Sequence, residues 1–253
     1  MRFCSIGSGS KGNGTLIQDG ETCILVDTGF TLKDIEFRLA QKGLTPLDLT
    51  AILVTHEHSD HIKGVGPLAR KYRIPVYCSH GTSQYDGLGN IPNLVIFDSH
   101  EVFKIGSLSI TPVVVPHDAR EPTQFVILDL ADKKLGILTD LGSLTPHILD
   151  VYSGCHGLML ETNHDVQMLR MGPYPPKLKS RVEGSLGHLN NQQAADLLRN
   201  IDCENIQYLV ATHISEKNNN VAIAIDAISN GFSWEKSSII MATQESGFPW
   251  CEL

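Results

Sequence analysis

The chain has 253 residues, 42% of them hydrophobic, and a formal net charge of -8. That length buries a substantial core near the upper size of one domain, and no linker, low-complexity tract or like-charge block divides it, so a single domain over residues 1–253 is expected. The acidic balance excludes a protein that coats nucleic acid non-specifically through a basic surface, although a bound pair of divalent ions would add positive charge that a residue count misses.

No window approaches the roughly 18 apolar residues of a membrane helix. The start, MRFCSIGSGSKG, lacks a signal-peptide apolar run, so a cytoplasmic protein without membrane contacts is expected. Cys4, Cys23, Cys78, Cys155, Cys203 and Cys251 form no C-x-x-C pair and read as buried, reduced thiols.

Along the chain, Gly7, Gly9 and Gly12 first spell G-x-G-x-x-G after a strand-like run. A dinucleotide fingerprint needs those glycines to open a helix. Here Thr15-Leu16-Ile17, Asp19-Gly20 and TCILVD follow, which is strand, tight turn, strand, so no nucleotide cofactor is expected. Strand-like runs continue at 22–27, 51–55, 75–79, 94–98, 108–116, 123–130, 134–140, 157–162, 206–212 and 237–243. Helical patterns lie at 32–43, with Gly43 as a stop, at 190–201, with Asn190 as N-cap, and at 221–231. Strands interleaved with helices predict a layered α/β (α+β) sandwich. A faint repeat of strand, Asp, Gly, helix, strand and polar cluster starts at residues 23 and 135.

The chemistry concentrates at residues 55–61, THEHSDH, directly after an apolar run. His and Asp are poor core residues, because desolvating them without partners costs several kcal/mol. Their alternation points His56 and His58 at one metal while Asp60 and His61 reach a second. Imidazole and carboxylate suit zinc, manganese or iron. His117, Asp140 and His213 each end another apolar run, so strands lying side by side would bring them to the same edge.

The H-x-H-x-D-H motif, Asp27 ending an early strand, and then His117, Asp140 and His213 in that order resemble the metallo-β-lactamase fold superfamily. The resemblance implies a four-layer αββα sandwich and two divalent metal ions, Zn or Mn with Fe also admissible. It places His56, His58 and His117 on one ion, Asp60, His61 and His213 on the other, and Asp140 between them. Asp27 is then expected to support the histidine loop, and the glycine hairpin to line the mouth, with Ser10 and Asn13 facing substrate.

Three polar clusters, ETNHD (161–165), GHLNNQQAA (187–195) and THISEKNN (212–219), are similar to those of the YycJ/WalJ-like nuclease branch. That similarity implies a 5′-to-3′ exonuclease acting on double-stranded DNA, with RNA open as a second substrate class. A hydroxide bridging two divalent ions is a nucleophile near neutral pH. His188 is the expected proton donor, beside a helix start whose N–H groups favour an anion, with His164 as the alternative. Asp60 joins these two in the catalytic set, and Glu161 supports the site. Asn163 and Asn190 are expected to meet substrate. Lys177, Lys179 and Arg181, in a mobile-looking loop, are expected to track phosphates. Two other readings compete: a hydrolase of small thioesters or cyclic phosphodiesters on the same fold, and a binding module without catalysis.

Overall fold

The computed structural model describes residues 1–232 and 234–253. Its strands, in chain order, are β1 (Arg2–Gly7), β2 (Gly14–Asp19), β3 (Thr22–Val26), β4 (Ala51–Leu53), β5 (Val76–Cys78), β6 (Leu94–Ile96), β7 (Phe103–Ile105), β8 (Leu108–Val114), β9 (Thr123–Leu128), β10 (Lys134–Leu138), β11 (Gly157–Glu161), β12 (Tyr208–Thr212), β13 (Ile239–Met241) and β14 (Phe248–Glu252). The helices are α1 (Leu32–Gln41), α2 (Ser59–Ile62), α3 (Val65–Tyr72), α4 (His80–Ser83), α5 (Pro146–Tyr152), α6 (Val166–Met171), α7 (Pro176–Glu183), α8 (Asn191–Asn200) and α9 (Val221–Phe232). The chain gathers into two compact units. One comprises Met1–Val114, Ala119–Lys133 and Thr243–Leu253; the other comprises Val115–Asp118 and Lys134–Ala242.

The first unit holds a seven-stranded sheet in the order β14-β1-β2-β3-β4-β5-β6, and β7, β8 and β9 pair antiparallel. From β3 to β6 the strands run parallel, and β3 and β4 are buried along their whole length, as strands covered on both faces are. Between β3 and β4, α1 starts at Thr31, whose side chain accepts the Asp34 N–H. The helix buries Ile35 and Leu39, each contributing about 1.5–3 kcal/mol, and stops at Gly43, where φ is 76°. Two strands lie outside the runs expected from the sequence. β7 is three residues long, and β14 contains Pro249, which fits only because it is an edge strand.

The three fingerprint glycines sit at the β1–β2 hairpin, where β1 and β2 pair antiparallel. A Cβ on Gly7 or Gly12 would meet the Phe30 ring at 2.6 Å, and one on Gly9 would meet Gln244 Oε1 at 2.7 Å. The glycines therefore serve close packing of this loop.

In the second unit β10, β11, β12 and β13 run parallel in that order. Leu138 pairs with Leu160, and Glu161 with Thr212, so Asp140, Glu161 and His213 emerge together at the carboxyl ends of three adjacent strands. That is where open parallel sheets place their ligands. Helix α8 packs with α9, and Gly231 lets the backbones close, since a Cβ there would meet Ala195 at 2.9 Å. The segment expected to be a mobile loop around Lys177, Lys179 and Arg181 is instead helix α7. Pro176 takes its first position, where a missing N–H removes no helical bond.

Candidate metal centre

In the first unit the donors follow β4, and a hydrogen-bond chain anchored at Asp27 sets their orientation. Asp27 adopts φ 58°, a left-handed conformation uncommon outside glycine, and its N–H is bonded to Leu53 O at 2.8 Å. One carboxylate oxygen accepts the Thr55 N–H at 2.9 Å, and the other accepts the Thr55 hydroxyl at 2.8 Å and His61 Nδ1 at 2.8 Å. Because Nδ1 donates to a carboxylate, the lone pair of His61 lies on Nε2, as a neutral imidazole ligand requires. The Thr55 hydroxyl, having given its proton to Asp27, accepts from His56 Nδ1 at 2.9 Å. That places the His56 lone pair on Nε2 as well.

His56 Nε2 faces His58 Nδ1 at 3.0 Å. Two nitrogens bound about 2.0–2.1 Å from one tetrahedral zinc lie roughly 3.3 Å apart, so this spacing suits a shared ion. His56 and His61 are buried. The turn that carries them needs Gly29, because a Cβ there would lie 1.8 Å from the Asp60 carbonyl oxygen. Asn13 closes the turn. Its N–H is bonded to Asp60 O at 2.8 Å, and its side-chain Nδ2 lies 3.4 Å from Asp60 Oδ2 and 3.1 Å from His61 Nε2.

The second unit supplies His117, Asp140, Glu161, His188 and His213. His117 Nδ1 donates to Gly187 O at 2.9 Å, again leaving the lone pair on Nε2. His213 Nδ1 lies 3.0 Å from Thr139 O and 2.9 Å from Asp140 Oδ1. His188 Nδ1 lies 2.7 Å from Glu161 Oε1 and 3.2 Å from Asp140 Oδ1. The other Glu161 oxygen accepts the Leu141 and Leu189 N–H groups at 3.0 and 3.1 Å. Ligand atoms of Asp140, Glu161, His188 and His213 all lie within 4.8 Å of one another. Burial alone would lower the His188 pKa, but the charges of Glu161 and Asp140 outweigh it and raise it to about 9. Burial alone would raise that of Glu161, but His188 outweighs it and lowers it. These imidazole and carboxylate sets fit a borderline divalent ion.

Three asparagines expected to face substrate have side chains engaged by other parts of the protein, Asn13 and Asn163 buried and Asn190 half-buried. The Asn13 amide bonds the Gly9 and Asp60 backbone. Asn190 caps α8 through a reciprocal box with Gln193, and the Asn191 N–H is bonded to His164 O at 2.9 Å, so the anion-binding role expected of this helix start loses most of its donors. Asn163 donates to His213 O at 2.9 Å. His164 is 1% exposed, its ring nitrogens have no hydrogen-bond partner among the described residues, and burial lowers its pKa to about 4. It carries no imidazolium proton near neutrality. Ser10, Lys177 and Arg181 are exposed and Lys179 is partly so. Lys179 Nζ donates to Arg170 O at 2.7 Å, and Arg181 pairs with Asp118.

The sequence reading missed the amide pair Asn191 and Asn219. Each donates to the other, at 3.0 and 2.8 Å, and Asn219 also donates to Thr162 O at 2.9 Å. The only signal was that all three polar clusters contain asparagine.

Residues 22–214 match the family model described as a beta-lactamase superfamily domain. The chain belongs to the metallo-β-lactamase superfamily. Within it, the chain is 37% identical to exodeoxyribonuclease YycJ of Bacillus anthracis, over 98% of this chain and 91% of that one. It is 36% identical to exodeoxyribonuclease WalJ of Streptococcus pneumoniae, over 87% and 83%. The metallo-β-lactamase fold protein YhfI of Bacillus subtilis superposes with a TM-score of 0.76 at 19% identity, covering 99% of both chains. The two sheets with their helices are thus the αββα sandwich of this superfamily. The chain is a metal-dependent hydrolase; its fold implies divalent metal binding, and the His/Asp groups described above have the donor atoms to hold such an ion. Among the described residues no helix is long and apolar enough to cross a membrane.

Proposed function

We propose that this hydrolase is a nuclease with a dinuclear centre, a 5′-to-3′ exonuclease acting on double-stranded DNA. The observation that carries the chemistry is the His188–Glu161 pair, 2.7 Å apart and 3.2 Å from Asp140. It sets a proton donor beside a ligand carboxylate, which is what departure of a sugar oxygen from phosphorus requires. The substrate class is supported by the identity to the two exodeoxyribonucleases over most of their length.

In this reading His56, His58 and His117 would hold one ion and Asp60, His61 and His213 the other, with Asp140 available to both, following the order of the family's motifs. Bound divalent ions supply Lewis acidity and an activated water near neutral pH. Asp27 and Thr55 hold the ligand tautomers. Glu161 holds Nδ1 of His188, so the proton offered to the departing oxygen is the one on Nε2. Ser10, Lys177, Lys179 and Arg181 contact the phosphate backbone. Arg181 reaches it while pinned to Asp118 by Nε and Nη2, a fork that fixes its plane.

The test is digestion of end-labelled 5′-phosphorylated and 5′-hydroxyl duplexes, with zinc, manganese or iron returned to metal-stripped protein. Stepwise shortening from the 5′ end is expected. Turnover of a thioester or cyclic phosphodiester with DNA left intact would overturn the reading in favour of a small-molecule hydrolase, and binding of either without turnover would overturn it in favour of a binding module.

A further inference from the structure

His213 sits at φ 50°, a left-handed conformation that is uncommon outside glycine, although histidine adopts it more readily than most residues. The residue follows β12 directly, and in an extended continuation its ring would project in another direction. A bond to this peptide would bias it toward the left-handed form. Asn163 Nδ2 donates to the His213 carbonyl at 2.9 Å, and Asn163 is itself 8% exposed. Its own backbone is fixed on both sides, the N–H bonded to Leu189 O at 3.1 Å and the carbonyl accepting the Ser215 N–H at 2.9 Å. Asn163 thus joins the strand end carrying Glu161, the loop carrying His188 and the loop carrying His213.

We infer that Asn163 is a positioning residue that holds His213 in its left-handed conformation and so sets the affinity of the ion His213 binds. The inference rests on the proposal that His213 is a metal ligand. It assigns Asn163 a role behind the ligand in place of contact with substrate. Carboxamide donation to a peptide carbonyl suits the task because the side chain is short, uncharged and already clamped, so it can fix one torsion without bringing charge next to the ion.

The experiment is zinc titration of metal-stripped wild type, Asn163→Asp, Asn163→Ala, His213→Ala and the double variant Asn163→Asp/His213→Ala against a chromophoric chelator. Melting of each metal-free protein is followed alongside. Asn163→Asp is nearly isosteric but loses the donor; Asn163→Ala loses it without adding charge and serves if the first variant does not fold. Either substitution is expected to weaken one class of zinc site by about 10–100-fold, the usual effect of removing a partner behind a ligand, and to leave the other class unchanged. In the His213→Ala background the same substitution is expected to add nothing.

Unchanged zinc affinity in both single variants overturns the inference. So does an equal loss with and without His213, or a loss of metal-free stability alone. Failure of the wild type to bind zinc would instead sink the metal assignment on which the inference rests.

Discussion

His61 Nδ1 lies 2.8 Å from Asp27 Oδ2, and the same carboxylate holds both the N–H and the hydroxyl of Thr55. One buried acid therefore sets the tautomers of two histidines. Replacing Asp27 with Ala should lower zinc affinity by about 10–100-fold, whereas Asn, which keeps the shape and tolerates the left-handed backbone, should lower it less. Competition titration with a chelator measures both, and equal affinities in wild type and Asp27→Ala would refute the orienting role.

Glu161→Gln leaves a neutral amide facing His188 and confronts the Leu141 and Leu189 N–H groups with a weaker acceptor. Turnover of duplex DNA is expected to fall by about 10–100-fold, with zinc content retained. Single-turnover rates with metal analysis on the same sample decide it. Loss of metal in step with activity would move Glu161 from supporting His188 to holding the ion.

Gly29→Ala drives a Cβ to within 1.8 Å of the Asp60 carbonyl, a backbone atom that cannot swing aside. Stability should drop by an amount at the upper end of the roughly 1–3 kcal/mol typical of overpacking, and the histidine turn should shift. Urea midpoints and zinc affinity should therefore fall together. A folded variant with unchanged metal binding would contradict the packing described here.

All six cysteines are free and buried. Burial pushes the thiols of Cys4, Cys23, Cys78 and Cys155 up to about 12. A raised pKa keeps the protonated, unreactive form dominant below that value, so a thiol reagent at pH 8 should label the native protein slowly and all six sites once it is unfolded. Fast labelling of one native site would mark a reactive cysteine that the geometry does not provide.

Reversing the charge of Lys177, Lys179 and Arg181 together should weaken duplex binding by a larger factor at low salt and reduce the slope of log K against log salt, with zinc binding intact. An unchanged slope would remove α7 from the DNA path. In helix α7 Lys177 and Arg181, four residues apart, share a face, whereas Lys179 lies on another and donates to Arg170 O, so neutralising Lys177 and Arg181 is expected to weaken binding more than neutralising Lys179.

The metal-capable residues were legible in the sequence because polar side chains at the ends of apolar runs contradict burial unless something compensates them, and residues 55–61, His117, Asp140 and His213 all stand in that position. The helix at α8 was legible for the same local reason, a cap followed by a 3.6-residue apolar period. What stayed hidden depends on partners distant in the chain. Asn13, Asn163 and Asn190 look alike as solvent-facing amides until the residues they bond are known. The glycines of the first hairpin look like a phosphate cradle until Phe30 packs against two of them. The exposure and partners of His164 and His188 separate a neutral buried ring from a carboxylate-paired one, although both are histidines in polar clusters. Periodicity and donor type are properties of neighbouring residues, so the chain alone determined all its strands but β7 and β14, and the metal-capable donors at their ends. Tautomer, charge state and side-chain direction are set by contacts across long sequence separations, and only the tertiary structure decided those.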